Sequence, residues 1–138
     1  MTFELNSLAL SEETTVQLLH PVTEAPLFAP VGKGEDPESK PVQVTVKGTA
    51  SQAYRKAVDT MMKRAAKRGK REATPEEVRE QSVDFLVALS VKIDNMTLDG
   101  EPVDNADAFR KMYSDARYDW VKDQVNNAIS SVEGFLAR

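Results

Sequence analysis

The residues that could do chemistry in this chain are few, and their spacing gives them little to do. The single histidine, His20, stands before Pro21 at the end of a β-patterned segment. As a general base it would need a nucleophile and an orienting partner, and neither lies near it in sequence. Cysteine is absent, which removes disulfides, thiol nucleophiles and thiolate metal sites together. One histidine cannot make a two-histidine metal motif. The run Asp94-Asn95-Met96-Thr97-Leu98-Asp99-Gly100-Glu101 has the acidic look of a calcium loop. Met96 and Leu98 fall where oxygen ligands are required, so the run reads as a turn at Asp99-Gly100. There is no glycine-rich phosphate loop and no dinucleotide fingerprint. The expectation is a non-enzyme, with no catalytic residue, no cofactor and no metal.

What remains is charge. Between Arg55 and Arg71 lie eight bases and one acid, Asp59, a local +7 in a chain of net charge −4, so the remainder carries −11. Such a block can meet a polyanion, an acidic partner or another copy of the chain, or it can be a solvated helix face. No aromatic residue alternates with these bases, as a single-strand stacking platform requires. The apolar residues of the same region, Tyr54, Ala57, Val58, Met61, Met62 and Ala65, recur at steps of three and four. They predict a helical stripe with Lys56, Lys63 and Lys67 on the opposite face. Asp59 lies four residues from both Arg55 and Lys63 and can pair with either. The candidate partner-binding residues are therefore Tyr54, Arg55, Lys56, Met61, Met62, Lys63 and Lys67. Methionine suits an adaptable contact surface, and the same stripe suits packing against a core.

The elements that must position these residues are legible in part. Thr14–Leu19 and Val42–Lys47 alternate with period two, Val42, Val44 and Val46 facing one way and Gln43, Thr45 and Lys47 the other. They predict two half-buried antiparallel strands. Five prolines between Pro21 and Pro41 exclude helix or central strand there, so residues 21–41 read as a long mobile arm. Thr49 or Ser51 can cap the basic helix, which should fray near Gly69. In Thr74-Pro75-Glu76-Glu77 a cap, a first-turn proline and a capping-box acid announce the next helix. Its stripe of Val78, Ser82, Phe85, Leu86 and Leu89 is broadened by Val83, Val87 and Ala88, predicting burial on most sides. Val91–Val103 reads as irregular and extended, anchored by Ile93, Met96 and Leu98. Asp104 or Asn105 then caps a short helix bearing Ala108, Phe109, Met112 and Tyr113. A last helix should run from Tyr118 to Phe135 with Val121, Val125, Ala128, Ile129 and Val132 inward. Phe85, Leu86, Leu89, Val125 and Ile129 are the expected core.

The whole predicts an α+β fold in a single domain, 1–138. Residues 1–48 would form a two-stranded hairpin with its mobile arm at 21–41, and 49–138 a four-helix C-terminal bundle. No apolar run approaches the length of a membrane span, and Glu4, Glu12 and Glu13 stand where an export signal would be apolar. An intracellular protein without membrane contact is expected.

Several short motifs follow one another in an order that carries a resemblance. They are LHPVTEAPL (Leu19 to Leu27), a valine strand ending at Gly48, SQAYRKA (Ser51 to Ala57), a basic tail, TPEE (Thr74 to Glu77), LDGEPV (Leu98 to Val103), KMY (Lys111 to Tyr113) and WVKDQV (Trp120 to Val125). This collinear set, spanning nearly the whole chain, resembles the tail assembly chaperones of long-tailed bacteriophages and prophages. The Pro/Gly arm departs from the tighter connection of that family. The resemblance implies a non-catalytic assembly factor of the host cell cytoplasm. It would bind the tape measure protein, keep it soluble, promote tail tube protein polymerisation around it, self-associate, and be absent from the mature virion. Two other readings compete with it: a structural tail protein retained in the virion, and a nucleic-acid-binding protein using helix 55–71.

Overall fold

The computed structural model describes residues 2–29, 40–131 and 135. Three strands, β1 (Glu13–Gln17), β2 (Gln43–Lys47) and β3 (Ser90–Asp94), form an antiparallel sheet in the order β1-β2-β3. The valine alternation works as its period demands. Val16, Val44 and Ile93 stand in register on one face, and Val42, Val44, Val46 and Ile93 are buried there. The other face carries Glu13 opposite Lys47, Thr15 opposite Thr45, and Gln43 opposite Asp94. Thr45 is buried among these neighbours, its hydroxyl 2.9 Å from that of Thr15.

The expected two-stranded N-terminal hairpin is thus incomplete. The third strand comes from beyond two helices, out of a stretch that the sequence left as irregular. Val91 and Ile93 alternate with Lys92 and Asp94, but this five-residue pattern runs directly on from the apolar end of the preceding helix. A bulge between Thr45 and Val46 on the β2–β3 ladder shifts the register once. The shift sets Ser90 opposite Val46, where its hydroxyl meets that of Tyr113 at 2.8 Å.

Four helices accompany the sheet: α1 (Gln52–Arg68), α2 (Pro75–Leu89), α3 (Ala106–Tyr113) and α4 (Asp119–Ser130). Their starts follow the capping chemistry. Ser51 accepts the N–H of Tyr54, Thr74 that of Glu77, and Asn105 that of Ala108. α1 ends at Gly69 with φ +71°, a conformation glycine adopts without steric cost. The core joins the valine face of the sheet to Leu86 and Leu89 of α2, Phe109, Met112 and Tyr113 of α3, and Val121, Val125 and Ile129 of α4. Of the expected core residues, Leu86, Leu89, Val125 and Ile129 are buried, whereas Phe85 is only half-buried.

α2 is not enclosed on most sides. Its buried line is Val83, Leu86 and Leu89, while Val78, Ser82 and Ala88 are exposed. Val132 lies outside the described residues, and α4 ends at Ser130. Phe135 is buried against Gly48, where a Cβ atom would come within 2.5 Å of its ring.

Part of the arm is held. Leu27 donates to Leu18 and accepts from Val42, Ala29 donates to Lys40, and the side chain of Gln17 donates to Leu27. Leu27 and Ala29, within the stretch 21–41 expected as a mobile arm, are thus bonded to the segments that flank the sheet. The expected tip, residues 30–39, lies outside the described residues. A two-stranded ribbon, β4 (Thr97–Leu98) and β5 (Glu101–Pro102), turns through Asp99 and Gly100, both at positive φ, as a tight Asp-Gly hairpin requires.

Candidate functional site

α1 stands at the margin of the molecule. Ala57 is its only buried residue, and its contact with the body runs through α2. Tyr54 meets Phe85 edge-on, with ring centroids 5.6 Å apart and planes at 78°. Ala57, Met61 and Arg64 line a crevice of about 80 Å³ against Gln81, Asp84 and Phe85. The apolar stripe expected to pack as one face is therefore split. Tyr54, Ala57 and Met61 turn towards α2. Met62, a further 100° around the helix, points away from it.

The crest of α1 is consequently mixed. Met62 is 67% exposed and Met61 39% exposed. Arg55, Lys56, Lys63 and Lys67 are exposed along the same helix. Of the seven candidate residues, the structure brings six to the surface. The seventh, Tyr54, is half-buried and spent on the α1–α2 contact.

Several bases have acidic partners. Lys63 pairs with Asp59 at 3.1 Å, the second of the two pairings the spacing allowed. Arg64 reaches Asp84 at 2.8 Å, and Arg110 of α3 reaches the same carboxylate. Burial disfavours ionisation of Asp84, but hydrogen bonds from Arg110 and Arg64 outweigh it and hold the carboxyl below its ordinary value. Arg71 binds Glu77 through two hydrogen bonds of 2.7 and 3.1 Å, which hold that carboxyl at about 2. The Arg64–Asp84–Arg110 node was not legible in sequence, because its members lie 20 and 26 positions apart on three different helices. A groove of about 400 Å³ between the end of α1 and the start of α2 is lined by Arg64, Lys67, Arg68, Arg71, Glu77 and Glu80. Its carboxylates oppose its bases.

His20 Nδ1 accepts the N–H groups of Val22 and Thr23 at 3.1 and 3.2 Å, so it closes a turn. Among the described residues, no group of three or more His, Asp or Glu side chains is placed to hold a metal ion. Among them, too, no helix is long and apolar enough to cross a membrane. Searched against protein-family models, curated proteins and solved structures, the chain matches none.

Proposed function

We propose that this chain is a non-catalytic tail assembly chaperone of a long-tailed bacteriophage or prophage. On this reading it binds the tape measure protein in the host cell cytoplasm, keeps it soluble while the tail tube protein polymerises around it, and leaves before the virion is complete. The family is suggested by the ordered motifs between Leu19 and Val125. The observation that carries the mechanism is the solvent side of α1, where Met62 is exposed and Arg55, Lys56, Lys63 and Lys67 are exposed along the same helix, which has one buried residue, Ala57. A large polarisable side chain kept in water costs hydrophobic free energy unless a partner covers it. The surrounding bases would select a client segment with acidic flanks.

A polyanion is the poorer fit. Lys63, Arg64 and Arg71, three of the eight bases in the block, already face carboxylates, which lowers the charge available for counterion release.

The test is co-expression with the tape measure protein and measurement of its soluble fraction. The wild-type chain should raise that fraction. The triple reversal Lys56→Glu, Lys63→Glu and Lys67→Glu should lower it while the thermal melt stays close to wild type, since exposed substitutions usually cost within about 0.5 kcal/mol. A folded triple variant that solubilises the client as well as wild type removes the basic face from the mechanism. A wild-type chain without effect removes the chaperone reading itself.

A further inference from the structure

One side chain joins two distant parts of the sequence, the segment that opens at Leu19 and the helix that carries Trp120. Gln124 of α4, 105 positions from Leu19, accepts the Leu19 N–H at 2.8 Å and donates to the Leu19 carbonyl at 2.9 Å, as a neighbouring strand would. Beyond Leu19 the chain doubles back on its own bonds. His20 donates to the Ala25 carbonyl and accepts from Glu24, Val22 and Thr23 donate to His20 Nδ1, and Ala25 donates to the Thr23 hydroxyl. Glu24 closes the turn at φ +61°, a conformation uncommon outside glycine. Residues 19–26 are nonetheless all exposed. The turn is held firmly without burying anything for the core.

What it presents is apolar. Val22, in the middle of the turn, is 82% exposed, more than any other large apolar side chain among the described residues, and Leu19 is 38% exposed. Trp120 is half-buried and stands one turn before Gln124 on the same side of α4. The charge carried by the two segments is negative. Glu24, Asp119 and Asp123 are exposed, while the bases nearest Trp120 in sequence, Arg117 and Lys122, face Asp115 and Asp119. α1 has the opposite sign, and its contact with the body runs through α2 rather than α4.

We propose that the turn 19–26 and the Trp120 side of α4 form a second protein-binding surface, separate from α1. It fits a folded partner with an apolar pocket rimmed by bases: Val22 enters the pocket, and Glu24 and Asp123 meet the rim. A projecting tip needs a concave partner, which an extended client segment does not offer. Gln124 and His20 are positioning residues, because a turn already ordered in the free chain spares the partner that cost on binding. The inference rests on the tail assembly reading, in which the tail tube protein must reach a client still held on α1. A surface of opposite sign on another helix leaves both free to bind at once.

The experiment is calorimetric titration of unpolymerised tail tube protein with the full chain. The wild type should bind. Val22→Arg sets a cation against the basic rim and should bind at least about tenfold more weakly, a loss equal to 1.4 kcal/mol. Gln124→Leu should speed amide exchange between Leu19 and Ala25 and weaken binding severalfold. His20→Ala should do the same, and His20→Asn, whose side-chain oxygen closes a turn in the same way, should restore the affinity. The reversal of Lys56, Lys63 and Lys67 to Glu should leave tube binding within about twofold of wild type.

A wild type that does not bind the tube protein overturns the proposal. So does Val22→Arg binding like wild type, or a loosened turn in Gln124→Leu with unchanged affinity. Equal losses from Val22→Arg and the α1 reversal would mean one shared surface and overturn it as well. Thermal melts check folding, and Val22→Ser, a smaller change at the same exposed site, stands in should Val22→Arg not fold. Client solubility is read separately: a chain that binds the tube protein but leaves the tape measure protein insoluble sinks the client reading alone, and the converse sinks this one alone.

Discussion

Asp84 shows how one side chain can hold three helices in place. It sits on α2 and accepts from Arg64 of α1 and Arg110 of α3. Its carboxyl is 23% exposed and the guanidinium groups about half exposed, so water screens part of the attraction. Asp84→Asn is expected to cost about 1 kcal/mol in a denaturant or thermal melt, the scale of a charged hydrogen bond after that discount. The pH dependence has a definite sign. The folded-state pKa lies below the unfolded value, so the unfolded chain binds more protons as pH falls. The stabilisation is complete above the unfolded value near 4 and is lost as pH drops through the folded one. Glu77, held at about 2 by Arg71, acts in the same direction. Melts of the wild type between about pH 5 and 2 should therefore fall more steeply than those of Asp84→Asn. Equal slopes would show that the node carries no linked proton.

At the scale of elements, α2 is the piece on which the others depend, and its two neighbouring large residues have unequal roles. Leu86 is 2% exposed within the joint core of sheet and helices. Phe85 is half-buried and mainly supports Tyr54. Leu86→Ala should cost about 3–4 kcal/mol as a buried truncation. Phe85→Ala should cost about 2 kcal/mol, because half its surface is already in water and one aromatic pair is lost. Chemical denaturation of both variants checks the order, and a larger loss at Phe85 would mean that α1 is more deeply seated than described. The sequence predicts this helix well at its ends and poorly at its faces. Caps at Thr74 and Asn105 and the Asp99-Gly100 turn are local chemistry, readable from a few adjacent residues. Which side of α2 is buried depends on where α1 and the sheet lie, and the apolar pattern, too wide to choose, admits both Val78–Phe85 and Val83–Leu86. The same holds for β3. Its ladder partner is 44 to 51 positions away in β2, and nothing within Ser90–Asp94 separates it from the end of the helix it follows. The partner face has that history too. Helical spacing placed Met61 and Met62 on one stripe, and only the position of α2 divides them.

The molecule as a whole separates its charge, with no lysine or arginine before Lys33 and a local +7 between Arg55 and Arg71. On the proposed function the basic side of α1 meets an acidic client, and a contact between exposed opposite charges is screened by salt. Affinity for an acidic tape measure fragment should therefore fall severalfold between low and moderate ionic strength. The variant Lys56→Glu, Lys63→Glu, Lys67→Glu should bind more weakly than wild type at low salt and lose less as salt is added, because the attraction that salt screens has been removed. Titration of a labelled fragment at two ionic strengths, beside thermal melts of both chains, measures each expectation. Equal affinity and equal salt dependence in two folded chains would show that these lysines do not face the client.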